Sequence, residues 1–104
     1  MNQNSRVNGK DLTALTAARS IDDERDRQDA KWGVQNHAPE WWLAILMEEV
    51  GELAQAILES HFDNGVDARK KGGLPNIRKE AIQCAAVAVA LVECLDRCTM
   101  GKEA

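Results

Sequence analysis

The stretch from Ala81 to Leu95, AIQCAAVAVALVECL, constrains this chain more than any other. Only Gln83 and Glu93 interrupt its apolar character, and a helix that is apolar on almost every side has to be surrounded by protein. The chain has 104 residues, enough for one small domain and one core. Two further helices do not easily enclose a third. The expectation is therefore a homo-oligomer, dimer or tetramer, in which another copy completes the bundle.

The rest of the sequence supplies those helices and little else. No run has the period-two alternation or β-branched density of strands, so the fold class is all-α, a bundle of about three main helices per chain. Residues 1–10 read as a flexible lead, and 11–104 as a single helical domain. A first helix is expected within Asp11 to Trp32, with a possible break at Ser20, where Ser20-Ile-Asp-Asp23 resembles a capping box. Gly33 stops it, and residues 33–38 connect to a second helix that opens at Pro39 and runs to about Ser60. The expected core stripe of that helix is Leu43, Leu46, Val50, Leu53 and Ile57. Residues 61–74 hold three glycines and a basic cluster and read as a loop. Pro75 then opens a third helix ending near Met100, capped by Gly101.

Charge and cysteine usage narrow the function classes. Thirteen basic against seventeen acidic residues leave a net charge of −4, so no overall positive field attracts a nucleic-acid polymer. No segment approaches the ~18 uninterrupted apolar residues of a membrane span, and residues 1–10 lack the apolar centre of a secretory signal. Cys84, Cys94 and Cys98 form no CxxC pair and fall in one helical segment, which fits a reduced, cytoplasmic protein.

Acidic residues on two helices carry the chemistry. At about 100° per residue, positions three apart share a side, so Glu49 and Glu52 project together, as do Glu80 and Gln83. Glu80 also heads a stripe that continues through Gln83, Val87, Leu91, Cys94 and Cys98, and a carboxylate at the top of an apolar stripe needs a partner. If Glu49, Glu52 and Glu80 met at separations of ~6 Å, each ionised pair would repel by roughly 3 kcal/mol at an effective dielectric of about 20. Such a group protonates, pairs with cations or binds metal. Lys79 and Arg78 point to other sides of the helix, which favours a divalent ion, and all-oxygen ligands favour Mg²⁺ or Mn²⁺. A phosphate-bearing substrate follows, because Mg²⁺ commonly takes phosphate oxygens as remaining ligands. Neither His37 nor His61 supplies the ExxH spacing of di-iron bundles, and Cys94 and Cys98 read better as structural than as zinc ligands.

Glu48-Glu49-Val50-Gly51-Glu52 followed by Glu80-Ala81-Ile82-Gln83 resembles the EExxE…ExxD pattern of the MazG-like all-α nucleoside triphosphate pyrophosphohydrolases. The resemblance spans about Glu24 to Arg97, and residues 24–37, ERDRQDAKWGVQNH, look like those of small phage-type members. It implies Glu49, Glu52 and Glu80 as metal ligands, with Glu48 a further ligand or the residue that orients the attacking water. Gln83 stands where the family usually has Asp; its amide oxygen can still coordinate, but it brings no charge and cannot act as a base. The implied reaction is hydrolysis of a (deoxy)nucleoside triphosphate between the α and β phosphates, giving monophosphate and pyrophosphate. Similarity to purine-directed members makes dGTP the preferred substrate, although no spacing distinguishes the bases.

The same substrate assigns further residues. Trp32 offers a stacking surface, with Gln35, Asn36 and His37 nearby in sequence to read the base edge and Lys31 to reach phosphate or base. At least one of Trp41 and Trp42 is expected to serve helix packing instead. Arg78 and Lys79, with Arg69, Lys70 and Lys71, are candidates to hold the outer phosphates. Two other classes compete: a nucleotide-binding helical oligomer without turnover, suggested by Gln83, and a structural module whose glutamates are only solvated.

Overall fold

The computed structural model describes residues 6–7, 10–62 and 73–102, with side chains for 11–61 and 73–99. It is three helices: α1 over Leu12–Trp32, α2 over Pro39–Phe62 and α3 over Gly73–Lys102. Arg6–Val7 pairs antiparallel with Lys10–Asp11, a two-residue ladder where the sequence suggested only a flexible lead. It adds no layer to the fold. None of the described helices is long and apolar enough to cross a membrane.

Punctuation decides the helix ends. The Asp11 side chain accepts a hydrogen bond from the Thr13 N–H at 2.7 Å, satisfying one of the donors that a helix start leaves open. Gly33 closes α1 with φ of 75°, a conformation costly for residues with a Cβ, and its N–H donates to the Asp29 carbonyl at 2.8 Å. No break occurs at Ser20. Its hydroxyl instead accepts from Arg78 Nη2 at 2.9 Å, so a tertiary contact takes the side chain that a local cap would have used. Helix α3 starts two residues before Pro75 and continues through Gly101, so that glycine does not cap it. Pro75 is tolerated because the first turn has no intrahelical acceptor to lose. The basic residues Arg69, Lys70 and Lys71 lie outside the described residues.

Helix α3 is the scaffold. It packs extensively on α2 and less so on α1, while α1 and α2 scarcely touch each other. Trp42, Val87, Ala90 and Cys94 form the buried cluster, with Ile45, Leu46 and Leu91 packed against it. Trp42 is thus the packing tryptophan, and Trp41 is 62% exposed. The inward stripe of α2 is Trp42, Ile45, Glu49, Leu53, Ala56 and Ser60, all buried or half-buried. That corrects the stripe read from the sequence, because Leu43, Val50 and Ile57 are exposed. The helix is apolar on more than one side, so periodicity alone did not say which side meets α3. Cys98 is likewise exposed rather than interior.

A candidate functional site in the cleft between the first two helices

Because α1 and α2 barely meet, a cleft remains between them with α3 as its floor. It contains a cavity of about 280 Å³. Helix α1 contributes Glu24, Arg25, Arg27, Gln28, Asp29 and Trp32; α2 contributes Trp42, Ile45 and Glu49; α3 contributes Gln83, Val87 and Ala90; Gly33 and Gln35 close one end. Aromatic and aliphatic side chains share the lining with charged and amide-bearing ones, the usual composition of a small-molecule site.

Glu49 is the focal residue. Three buried polar atoms have no hydrogen-bond partner among the described residues: Trp42 Nε1, Ser60 Oγ and Glu49 Oε2. Trp42 lies beside Cys94 and is the main influence holding that thiol low. Only Glu49 carries charge. Burial pushes its carboxyl above the ordinary value, and the charges of Glu52, Glu80, Glu48 and Glu24, in that order, push it further. The Cys84 thiol is raised by burial and then by Glu49, Glu80 and Glu52. The acidic residues of α2 and α3 therefore act on common neighbours. Among the described residues, however, no three His, Cys, Asp or Glu side chains stand where they would grip one ion as drawn. Proximity in field and ligating geometry differ here, since long glutamates at Coulombic range still need rotamer changes to converge.

The chemistry of the donors nonetheless suits a hard divalent cation. An unpartnered carboxylate oxygen out of water, surrounded by further carboxylates, offers only oxygen ligands and excess negative charge.

The remaining expected site residues divide. Trp32, Gln35, Glu49 and Gln83 line the one cavity. Glu80 is half-buried, while Glu48 and Glu52 are exposed, and none of the three lines it. Trp32 is 54% exposed, with Lys31 Nζ 4.7 Å from its ring centroid. Asn36 and His37 do not line the cavity. Asn36 Oδ1 accepts from Arg97 Nε and Nη2 at 3.1 and 2.9 Å, and the Gln35 carbonyl accepts from Nη2 at 3.0 Å. The His37 ring stands edge-on to Trp42 at 5.0 Å, and its carbonyl accepts from Cys94 Sγ at 3.6 Å. Arg78 is tied to Ser20, and Lys79 lies close enough to Glu24 to help hold that carboxyl low.

Five charged or amide-bearing cavity residues had no role in the sequence reading: Glu24, Arg25, Arg27, Gln28 and Asp29. Arg25 is buried and donates through Nε and Nη2 to Glu93 Oε1 at 3.0 and 2.8 Å, through Nη2 to Asp29 at 2.9 Å, and through Nη1 to Gln28 at 3.0 Å. Glu24 takes a bidentate pair from Arg27 at 2.8 and 2.6 Å and a third bond from Gln28 at 3.2 Å. The Arg27 hydrogen bond is the main reason its pKa is lowered. A signal for Arg25 was present in the sequence: Glu93 is the one charge in an otherwise apolar run and so demands a cation.

Comparison with models of protein families, with curated proteins and with solved structures finds nothing that matches this chain. The functional reading rests on the site itself.

Proposed function

We propose that this protein is a Mg²⁺-dependent nucleoside triphosphate pyrophosphohydrolase, with Mn²⁺ as an alternative ion, acting on a (deoxy)nucleoside triphosphate, with dGTP preferred. The observation that carries the reading is Glu49: a half-buried carboxylate with an unpartnered oxygen, in the field of four other glutamates, at the wall of a tryptophan-lined cavity. Glu49, Glu52 and Glu80 would hold the ion, and Gln83 adds a neutral amide beside them. When bound, Mg²⁺ neutralises triphosphate charge and stabilises the departing pyrophosphate.

The protein's own groups do the rest. Trp32 stacks on the base, the aliphatic floor of Ile45, Val87 and Ala90 excludes water, and Gln35 reaches the base edge. Glu48, exposed beside Glu49, orients the attacking water or assists in holding the ion. Lys31, Asn36, His37, Arg78 and Lys79 remain candidate substrate contacts, although Asn36 and Arg78 must first leave their present partners. The three cysteines are free, which fits a reducing cytoplasm.

A second copy of the chain is the expected partner. Leu43, Met47, Val50, Ala54 and Ile57 follow one another at spacings of four and three on the exposed side of α2, the seam that two helices use to pack on each other. On α3, Val92 and Leu95 are also exposed.

The test is product identification. Purified protein incubated with each common triphosphate and Mg²⁺ is expected to yield monophosphate and pyrophosphate; diphosphate and inorganic phosphate, or no turnover with any nucleotide, would overturn the assignment. A second reading, nucleotide binding without turnover, is favoured by the uncharged Gln83. Tight binding in calorimetry with no products would establish it.

A further inference from the structure

We propose that Gln83 is a specificity-determining residue that hydrogen-bonds the edge of the nucleobase through its side-chain amide, and is not a metal ligand. The inference rests on the nucleotide reading above and refines it.

Position is the first argument. Gln83 lines the cavity with Trp32 and Gln35, and its stripe continues through Val87 and Ala90 into the cavity floor. Glu80, one turn earlier on α3, does not reach that lining. Gln83 therefore belongs to the pocket, and Glu80 lies beyond it.

Hydrogen-bond capacity is the second. Arg25, Gln28 and Glu24 spend their groups largely on one another, on Glu93 or on Arg27. The Gln35 oxygen is engaged by the His37 ring at 3.3 Å. Gln83 is half-buried and makes no side-chain hydrogen bond among the described residues. Its carbonyl and amide N–H groups reach solvent at the cavity wall with no partner among the described residues, so a ligand can take them without first breaking a protein contact.

Chemistry and size agree. An amide presents an acceptor beside a donor, the pairing that matches adjacent donor and acceptor atoms on a base. A carboxylate here would instead add charge to the four that already act on Glu49. The cavity, about 280 Å³, lies just below the roughly 300–1,000 Å³ typical of small-molecule sites. It suits the base end of a nucleotide, leaving the triphosphate to extend past Glu49 at the wall toward Glu52 and Glu80 beyond the lining.

The experiment measures two affinities for the native protein, Gln83→Met and Gln83→Glu. One is for the four common deoxynucleoside monophosphates, read by quenching of tryptophan fluorescence; the other is for Mg²⁺ alone, read by calorimetry. Gln83→Met is expected to weaken the best-bound nucleotide about 5- to 50-fold and to level the ranking of the bases. Its Mg²⁺ affinity should stay within about twofold of native. Gln83→Glu keeps the acceptor but loses the donors, and should reorder the ranking. An unchanged ranking in both variants overturns the inference, as does a loss of Mg²⁺ affinity in Gln83→Met equal to the loss for nucleotide. Either result leaves the pyrophosphohydrolase reading standing. Native protein that binds none of the four monophosphates overturns the inference, and the turnover assay then decides the pyrophosphohydrolase reading by itself.

Discussion

Glu49 makes the stability of the metal-free protein depend on pH in an unusual direction. Its folded pKa lies above the ordinary value of 4.5, so above that pH the folded protein still holds a proton that the unfolded chain has released. Stability is complete below the ordinary value and falls as pH rises through the raised one. Replacing Glu49 by Gln removes that loss. Without metal at neutral pH, Glu49→Gln should melt measurably higher than native, on a scale where about 1 kcal/mol shifts Tm by roughly 4–8 °C in a domain this size. Added Mg²⁺ should stabilise native protein increasingly with pH and the variant hardly at all. Melting curves against pH, with and without the ion, decide this; a variant less stable than native at pH 7 would contradict it. The pairing of Glu49 with Glu52 was legible from spacing, because helical geometry forces shared sides; that Glu80 acts on Glu49 was only an expectation, because it lies on another helix. The entry of Glu24 into the same field was not legible, because it lies on a third helix brought near only by packing.

Helices α1 and α3 are joined by polar contacts rather than by a broad apolar seam. Arg25 is the buried anchor, while its partners Asp29 and Glu93 are each more than a third exposed. Those carboxylates can rehydrate when the guanidinium is lost, so Arg25→Ala should cost about 1–3 kcal/mol, below the full penalty for breaking a fully buried pair. Thermal denaturation should register it as a clear fall in Tm, and Glu93→Gln should cost less. Arg97 acts on the connector between α1 and α2, holding Asn36 and the Gln35 carbonyl. Arg97→Ala should lower Tm only slightly, by the ~1 kcal/mol of exposed hydrogen bonds. It should speed amide exchange across residues 33–38 and raise KM more than it lowers kcat. Equal effects on both constants would argue against a positioning role. The helix spans themselves followed from Gly33, Pro39 and the apolar periods; the errors at Ser20 and Gly101 arose where tertiary contact or helix propagation outweighed a local cap signal.

For the whole molecule, the exposed seam of α2 sets the expected assembly. Met47→Asp places a charge in the middle of Leu43, Val50 and Ile57 without touching the buried cluster. Sedimentation should show native protein as a dimer or tetramer and Met47→Asp shifted toward monomer, with the helical content of both alike. A native protein that is monomeric at high micromolar concentration would refute self-association through this face.

What the sequence settled alone is local: three helices, their main breakpoints, three cysteines without a pairing pattern, and carboxylates spaced to share helix faces. These follow from propensity, capping and a 3.6-residue period, all of which operate within a few turns of chain. Tertiary structure decided which side of α2 faces α3, that Trp42 is buried in the core cluster while Trp32 stands exposed at the cavity, and that Arg25 answers Glu93. Those outcomes depend on which surfaces of separate helices meet, and a helix apolar on several sides offers more than one way to bury itself.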